Sequence, residues 1–187
     1  FTVSAVLSDD DTGRSTASVD SKSTGTNNPP SLDVIANQTV VEGGTLVLQL
    51  VAADLEGTPL TYSVVGSNSK ATASVDANGL LTLSGLDDAA AVPFTVSVSD
   101  GTSTAQRNFS LTVTNAPPAF AGLQLTATQT GLQRDAQVSG AYTDVGTLDT
   151  HTVLITWGDG TSSEATVDAV HHTFSANHAF ALTTSTQ

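Results

Sequence analysis

The sequence predicts an all-β chain of tandem two-sheet sandwiches, and three observations carry that prediction. Apolar and polar residues alternate in short runs, as along half-buried strands. The runs are separated at close intervals by Gly, Pro, Asn and Asp, the residues that turns require. Val, Thr and Ile fill the apolar runs, and long helix formers are scarce.

Composition bounds what such a chain does. At 187 residues it is long enough for one large or two ordinary domains, and a hydrophobic fraction of 39% supplies a core. Five Lys and Arg stand against 18 Asp and Glu, a formal charge of −13. That balance excludes nucleic acid and anionic membranes as partners, because phosphate neutralisation needs clustered cations. No cysteine is present, so disulfides and thiolate metal sites are excluded. No apolar run reaches transmembrane length. The chain opens inside a strand pattern with no initiator Met or signal peptide, and reads as a segment of a larger protein.

Residues 1–21 read as two strands around the turn Asp9-Asp10-Asp11-Thr12-Gly13, the final strands of a preceding domain. Residues 22–30, ending Asn27-Asn28-Pro29-Pro30, have linker composition. Residues 31–115 hold seven candidate strands: Leu32–Val41, Thr45–Ala53, Leu60–Val65, Ala71–Val75, Leu80–Ser84, Phe94–Ser99 and Asn108–Thr114. Seven short strands at this spacing predict an immunoglobulin-like β-sandwich. Asn115-Ala116-Pro117-Pro118 repeats the linker pattern and opens a second sandwich over 116–187, expected to lack its last strand. Its candidate strands are Leu123–Thr128, Gln137–Tyr142, Val153–Trp157, Ser162–Val167, Val170–Phe174 and Phe180–Thr184. An internal repeat relates Phe1-Thr-Val-Ser to Phe94-Thr-Val-Ser and, more distantly, to Phe180-Ala-Leu-Thr.

The segment Thr156-Trp157-Gly158-Asp159-Gly160 carries the single tryptophan. Together with Asp144-Val145-Gly146, Asp149-Thr150-His151-Thr152 and His172-Thr173-Phe174, it resembles the PKD (polycystic-kidney-disease) repeat. Residues 1–13 resemble the end of such a repeat. Val41-Glu42-Gly43, Asp54-Leu55-Glu56-Gly57-Thr58-Pro59-Leu60-Thr61-Tyr62 and Ser99-Asp100-Gly101 are similar to bacterial cadherin-like, dystroglycan-type repeats. The sequence departs from those patterns at Glu56, where Asp is usual, at Asn115-Ala116, which lacks a linker Asp, and at Val145, where Pro is common. The resemblance implies β-sandwich modules in tandem on secreted or surface proteins of bacterial type.

Strand-loop geometry gathers candidate ligands for a hard cation. In an immunoglobulin-like sandwich the second-to-third and sixth-to-seventh loops emerge where the chain enters. That places Asp54, Glu56 and Asp100 near Asn28 and Asp33, a set able to bind Ca²⁺. The competing reading makes them ordinary polar turn residues. Glu42 is a lesser candidate, expected in a plain turn. Asp9, Asp10 and Asp11 form the densest acidic run, and in a complete domain that loop lies near the equivalents of Asp144 and Asp149, so Asp9, Asp11, Asp144 and Asp149 join the candidate Ca²⁺ ligands.

Other chemistry finds little support. Asp159 reads as the cap of a tight turn and Trp157 as core. His151, His171, His172 and His178 show no paired metal spacing, and His171 and His172 are expected on opposite faces of a strand. No Gly-x-Ser-x-Gly elbow accompanies a His and an acid. Asp144 and Asp159 lack the aromatic cleft of a glycosidase, with aromatics at 5%. Asn37-Gln38-Thr39 and Asn108-Phe109-Ser110 match the glycosylation sequon by composition.

The expected function is a non-catalytic structural or adhesive repeat segment of a secreted or cell-surface protein. It would act as a stalk or spacer with Ca²⁺-stiffened junctions, partnered by neighbouring repeats, by self-association or by a surface glycan or protein. One rival is a carbohydrate-binding module of a secreted polysaccharide-degrading enzyme, which requires Trp157 or Tyr142 exposed on a flat face. The other is a filament subunit assembled by β-strand exchange.

Overall fold

The structure, a computed structural model, describes residues 2–8, 14–20 and 25–181. Strands β1 (Thr2–Ser8) and β2 (Arg14–Asp20) form an antiparallel hairpin in a sheet of their own.

The first sandwich is built from nine strands. They are β3 (Ser31–Leu32), β4 (Gln38–Val41), β5 (Thr45–Gln49), β6 (Ala52–Ala53), β7 (Thr61–Val65), β8 (Ala71–Val75), β9 (Leu80–Gly85), β10 (Ala89–Ser99) and β11 (Thr104–Thr114). One sheet has the order β4-β11-β10-β7 and the other β5-β9-β8, with β3 paired to β6. Alternation then decides which residues meet between the sheets. Leu81 and Leu83 of β9, Val96 and Val98 of β10 and Leu111 of β11 are all fully buried. Phe94 and Phe109, opposite each other in the register, stack with ring centroids 5.6 Å apart.

Two expected strands divide because each serves two sheets. The run expected over Leu32–Val41 breaks at 33–37: β3 pairs antiparallel with β6, and β4 then crosses to run parallel to β11. The run over Thr45–Ala53 divides in the same way into β5 and β6.

The second sandwich holds β12 (Ala119–Thr130), β13 (Gln133–Thr143), β14 (Leu154–Thr156), β15 (Ser162–Glu164), β16 (Thr166–Asp168) and β17 (Thr173–Phe180). Its main sheet is ordered β12-β13-β17-β16, and β14-β15 is a separate hairpin. Ala136, Trp157 and Ala176 form one small buried cluster, and Tyr142, Val153 and Phe174 another. The structure corrects the expected strand Val170–Phe174, while residues 182–184 of the expected strand Phe180–Thr184 lie outside the described residues. Residues 169–172 are a turn, and Phe180 closes β17 instead of opening a strand. Asp168 causes that turn: its Oδ1 accepts hydrogen bonds from Val170 N (3.0 Å) and His171 N (3.1 Å), and His172 takes φ 52°. His171 and His172 therefore do not lie on opposite faces of a strand. The described residues contain no helix long and apolar enough to cross a membrane.

Candidate metal centre

The tryptophan hairpin is structural. Trp157 N donates to Thr161 O (2.8 Å) and Gly160 N to Trp157 O (3.1 Å), closing the turn between β14 and β15. Gly160 sits at φ 88°, a conformation that disfavours a side chain. Asp159 Oδ1 accepts from Thr161 N (3.0 Å) and Thr161 Oγ1 (2.7 Å), while its Oδ2 bonds His178 Nε2 at 2.8 Å. Those bonds, the Thr161 hydroxyl first, hold the Asp159 carboxyl down to about 2. Trp157 is only 4% exposed, gives its Nε1–H to Ser163 Oγ (3.0 Å) and stacks on His178 at 4.7 Å.

At the N-terminal pole of the first sandwich three of the expected carboxylates, Asp54, Glu56 and Asp100, accept hydrogen bonds. Asp100 Oδ1 accepts from Thr102 N (2.7 Å) and Ser103 N (2.6 Å), and its Oδ2 accepts from Asn27 Nδ2 (3.0 Å). These bonds, Ser103 N first, hold its carboxyl below the usual range. Glu56 is engaged by Asn28, whose backbone N lies 3.3 Å from Oε2. Asp54 Oδ1 accepts from Glu56 N (3.1 Å) and Thr58 N (2.8 Å), although its Oδ2 is buried without a partner. Asp33 is exposed and holds Val51 O through its backbone N–H. Three or more His, Asp or Glu ligand atoms come within 4.8 Å of one another in two groups among the described residues, and Asp33, Asp54, Glu56 and Asp100 belong to neither. Asp9, Asp10 and Asp11 lie outside the described residues.

Both groups form at the opposite pole, where the second sandwich begins. Glu42 follows β4 and is 3% exposed. Its N–H closes the β4–β11 ladder on Thr114 O (3.0 Å), and its Oε1 accepts from Ala116 N (2.7 Å) in the linker. Its Oε2 is buried with no hydrogen-bond partner. From the second sandwich come Asp144, just past β13, and Asp149; with Glu42 they make the first group. A Cβ built on Gly146 would run into Asp149 Oδ2 and lie 3.0 Å from Glu42 Oε2, so both oxygens face one spot above that glycine. Gly43, at φ 73°, admits the approach of Val145, whose Cβ lies 3.0 Å from where a Gly43 Cβ would stand. Asp144 is positioned by Gly146 N on Oδ1 (3.2 Å) and by His151 Nε2 on Oδ2 (2.6 Å).

The second group joins Asp149 to Asp87 and Asp88, in the connection between β9 and β10. Asp87 is 1% exposed; its Oδ2 bonds Lys70 Nζ and its Oδ1 accepts from Leu148 N (3.1 Å). With Thr147 N on Leu86 O (3.1 Å), this pins the 144–149 loop to the first sandwich.

The carboxyls differ in electrostatic state. His151 holds Asp144 below its ordinary range, and Lys70 does the same for Asp87. Asp149 is pushed up, first by burial, then by the charges of Asp144, Asp87 and Asp88. The donor set fits a hard cation: three carboxylates from two sandwiches, and one buried carboxylate oxygen lacking a partner that a cation would supply. Glu42 ranked low in sequence because the turn after β4 faces either pole on pattern alone. Asp87, Asp88 and Lys70 were missed, although adjacent acids between the fifth and sixth strands face the exit pole by the same loop geometry that was applied to the other end.

Similarity to known proteins is structural and local. No curated protein matches the chain. Human protocadherin-24 EC1-2 is 16% identical over 62% of this chain and 88% of its own, with a TM-score of 0.39. Titin domains z1z2 in complex with telethonin are 18% identical over 82% of each chain, with a TM-score of 0.39. An endo-fucoidan hydrolase from glycoside hydrolase family 107 is 18% identical over 88% of this chain and 33% of its own, with a TM-score of 0.40. The sequence itself places one unit: residues 27–114, the first sandwich with its leading linker, match the family described as Bacterial Ig domain.

Proposed function

We propose that this segment is a non-catalytic structural or adhesive repeat of a secreted or cell-surface protein, and that Ca²⁺ at Glu42, Asp144 and Asp149 stiffens the joint between its two sandwiches. The observation that carries this reading is Glu42 Oε2, buried, unpartnered and turned toward the carboxylates of the next unit. An ion taking ligands from both units resists their relative rotation. Without it, like charges face each other across the joint. A site of three carboxylates completed by carbonyls or water suits the weak range of extracellular modules, a Kd of about 10⁻⁴–10⁻³ M. Burial of Trp157 and Tyr142, at 4% and 5% exposure, favours this reading over a glycan platform.

Small-angle scattering of the chain in millimolar Ca²⁺ and in chelator tests the proposal. A longer maximum dimension and a narrower distribution with Ca²⁺ are expected. Identical profiles, with no heat on titration, would sink it.

A further inference from the structure

The joint presents two cation positions that share Asp149, and they differ in what already stands there. The Glu42–Asp144–Asp149 position has an unpartnered oxygen. The Asp87–Asp88–Asp149 position has an ammonium: Lys70 Nζ bonds Asp87 Oδ2 and lies 4.0 Å from Asp88 Oδ1. We infer that Lys70 is a tethered second cation, so that the joint takes one divalent ion and not two. This inference rests on the Ca²⁺ reading above.

Several features make the ammonium hard to displace. Lys70 is fixed to the loop it neutralises, since its carbonyl accepts from both Leu86 N (2.9 Å) and Asp87 N (3.2 Å). Its N–H is in turn held by Asn68 Oδ1 (2.8 Å). A cation delivered from within the chain acts at a high effective concentration and needs no dehydration of a divalent ion. An ammonium is satisfied by up to three acceptors in any arrangement, whereas Ca²⁺ requires 6–8 oxygens. Charge accounting agrees. Glu42, Asp87, Asp88, Asp144 and Asp149 carry five negative charges and Lys70 one positive. One Ca²⁺ brings the net −4 to −2, and a second ion beside the ammonium would place three cations, two Ca²⁺ and Lys70, around the single Asp149 carboxylate. Lys70 thus sets stoichiometry and leaves Asp149 to serve the ion at Glu42.

The consequence is specific to Lys70. Removing its charge while keeping a polar side chain empties the second position, and Ca²⁺ enters it. Calorimetric titration with Ca²⁺ of the whole chain, as wild type, Lys70→Gln and Lys70→Arg, reads the number of ions directly. One ion is expected for wild type and Lys70→Arg, and two for Lys70→Gln. Native mass spectrometry of protein purified in Ca²⁺ gives the same count for a variant that folds only with the ion bound. A count of one for Lys70→Gln, or of two for wild type, overturns this inference and leaves the Ca²⁺ joint standing. A Lys70→Gln chain that stays unfolded even in Ca²⁺ also overturns it, because the ion is then no substitute for the ammonium. No binding by any of the three chains overturns the Ca²⁺ reading itself.

Discussion

The two poles of the first sandwich carry similar numbers of acids and arrange them differently. At the N-terminal pole each engaged carboxylate faces N–H groups: Asp100 meets Thr102 N, Ser103 N and Asn27 Nδ2, and Glu56 meets Asn28. At the joint Glu42, Asp144 and Asp149 face one another, and one buried oxygen has no donor at all. A buried oxygen without a partner occurs at both poles, Asp54 Oδ2 at one and Glu42 Oε2 at the other, so what marks the joint is that Glu42 meets two further carboxylates while Asp54 belongs to no such group. Lys70 supplies a donor at Asp87; among the described residues none reaches Glu42 Oε2.

The largest effect that would break this contrast is the response to Ca²⁺. An ion at about 100 times its Kd stabilises the folded state by about 2.7 kcal/mol. Glu42→Gln is expected to remove most of the resulting rise in melting temperature, and Glu56→Gln none of it. A loss in Glu56→Gln equal to that in Glu42→Gln would move the site to the other pole. Next is Gly43→Ala. It forces a side chain into left-handed backbone and against Val145, at a cost of about 1–2 kcal/mol for the backbone alone. Denaturant unfolding with and without Ca²⁺ should show that loss in both conditions, whereas Gly101→Ala, at φ 91° with nothing within 4 Å, should show only the backbone cost.

Asp149→Asn sharpens the comparison by its sign. In chelator it relieves repulsion from Asp144, Asp87 and Asp88 and should raise the melting temperature. In Ca²⁺ it removes a ligand and should lower it. A variant less stable than wild type in both conditions would deny Asp149 the repulsion assigned to it.

The smallest effect is the pH profile in chelator. Asp149 has a raised native pKa, so its stabilising contribution grows as pH falls through that value. Asp100, Asp144 and Asp159 have depressed native values, so theirs are present above 3.8 and lost below it, down to about 2 for Asp159. Stability should pass through a maximum on the acid side of neutrality, and Asp149→Asn should flatten the rise toward it. A monotonic profile identical in both chains would contradict the sign for Asp149.

The strands were legible because alternation and turn residues act locally. Ala71–Val75 reads the same in sequence and structure, and Asn78-Gly79 bends the chain where expected, with Asp76 Oδ1 capping Asn78 N and Leu80 N. Strand division at 33–37 was not legible, since Val34 and Ile35 continue the apolar run and only the cross-strand partners show the switch between sheets. The turn at 169–172 was hidden in the same way: Val170 looks like a strand residue but lies exposed in a bend that Asp168 holds. For the candidate site, the acids were visible and their companions were not. Which carboxylate meets a donor depends on contacts such as Asn27 to Asp100, which are 73 residues apart. Both sequon asparagines are exposed, and their side-chain contacts were equally invisible: Asn37 Oδ1 accepts from Ser110 N and Asn108 Oδ1 from Thr95 Oγ1.

The parallel pairing of β4 with β11 has a mechanical consequence. The four register pairs from Leu111↔Gln38 to Thr114↔Val41 join a strand near the start of the sandwich to its last strand. Tension applied across the ends of the unit pulls these two strands in opposite directions along their length. The hydrogen bonds between them are then loaded together in shear, and no single bond can be peeled ahead of the others. Resistance to such a pull is set by an unfolding rate and not by equilibrium stability. A substitution at Val40 or Val113 would therefore show more under force than in a melting curve.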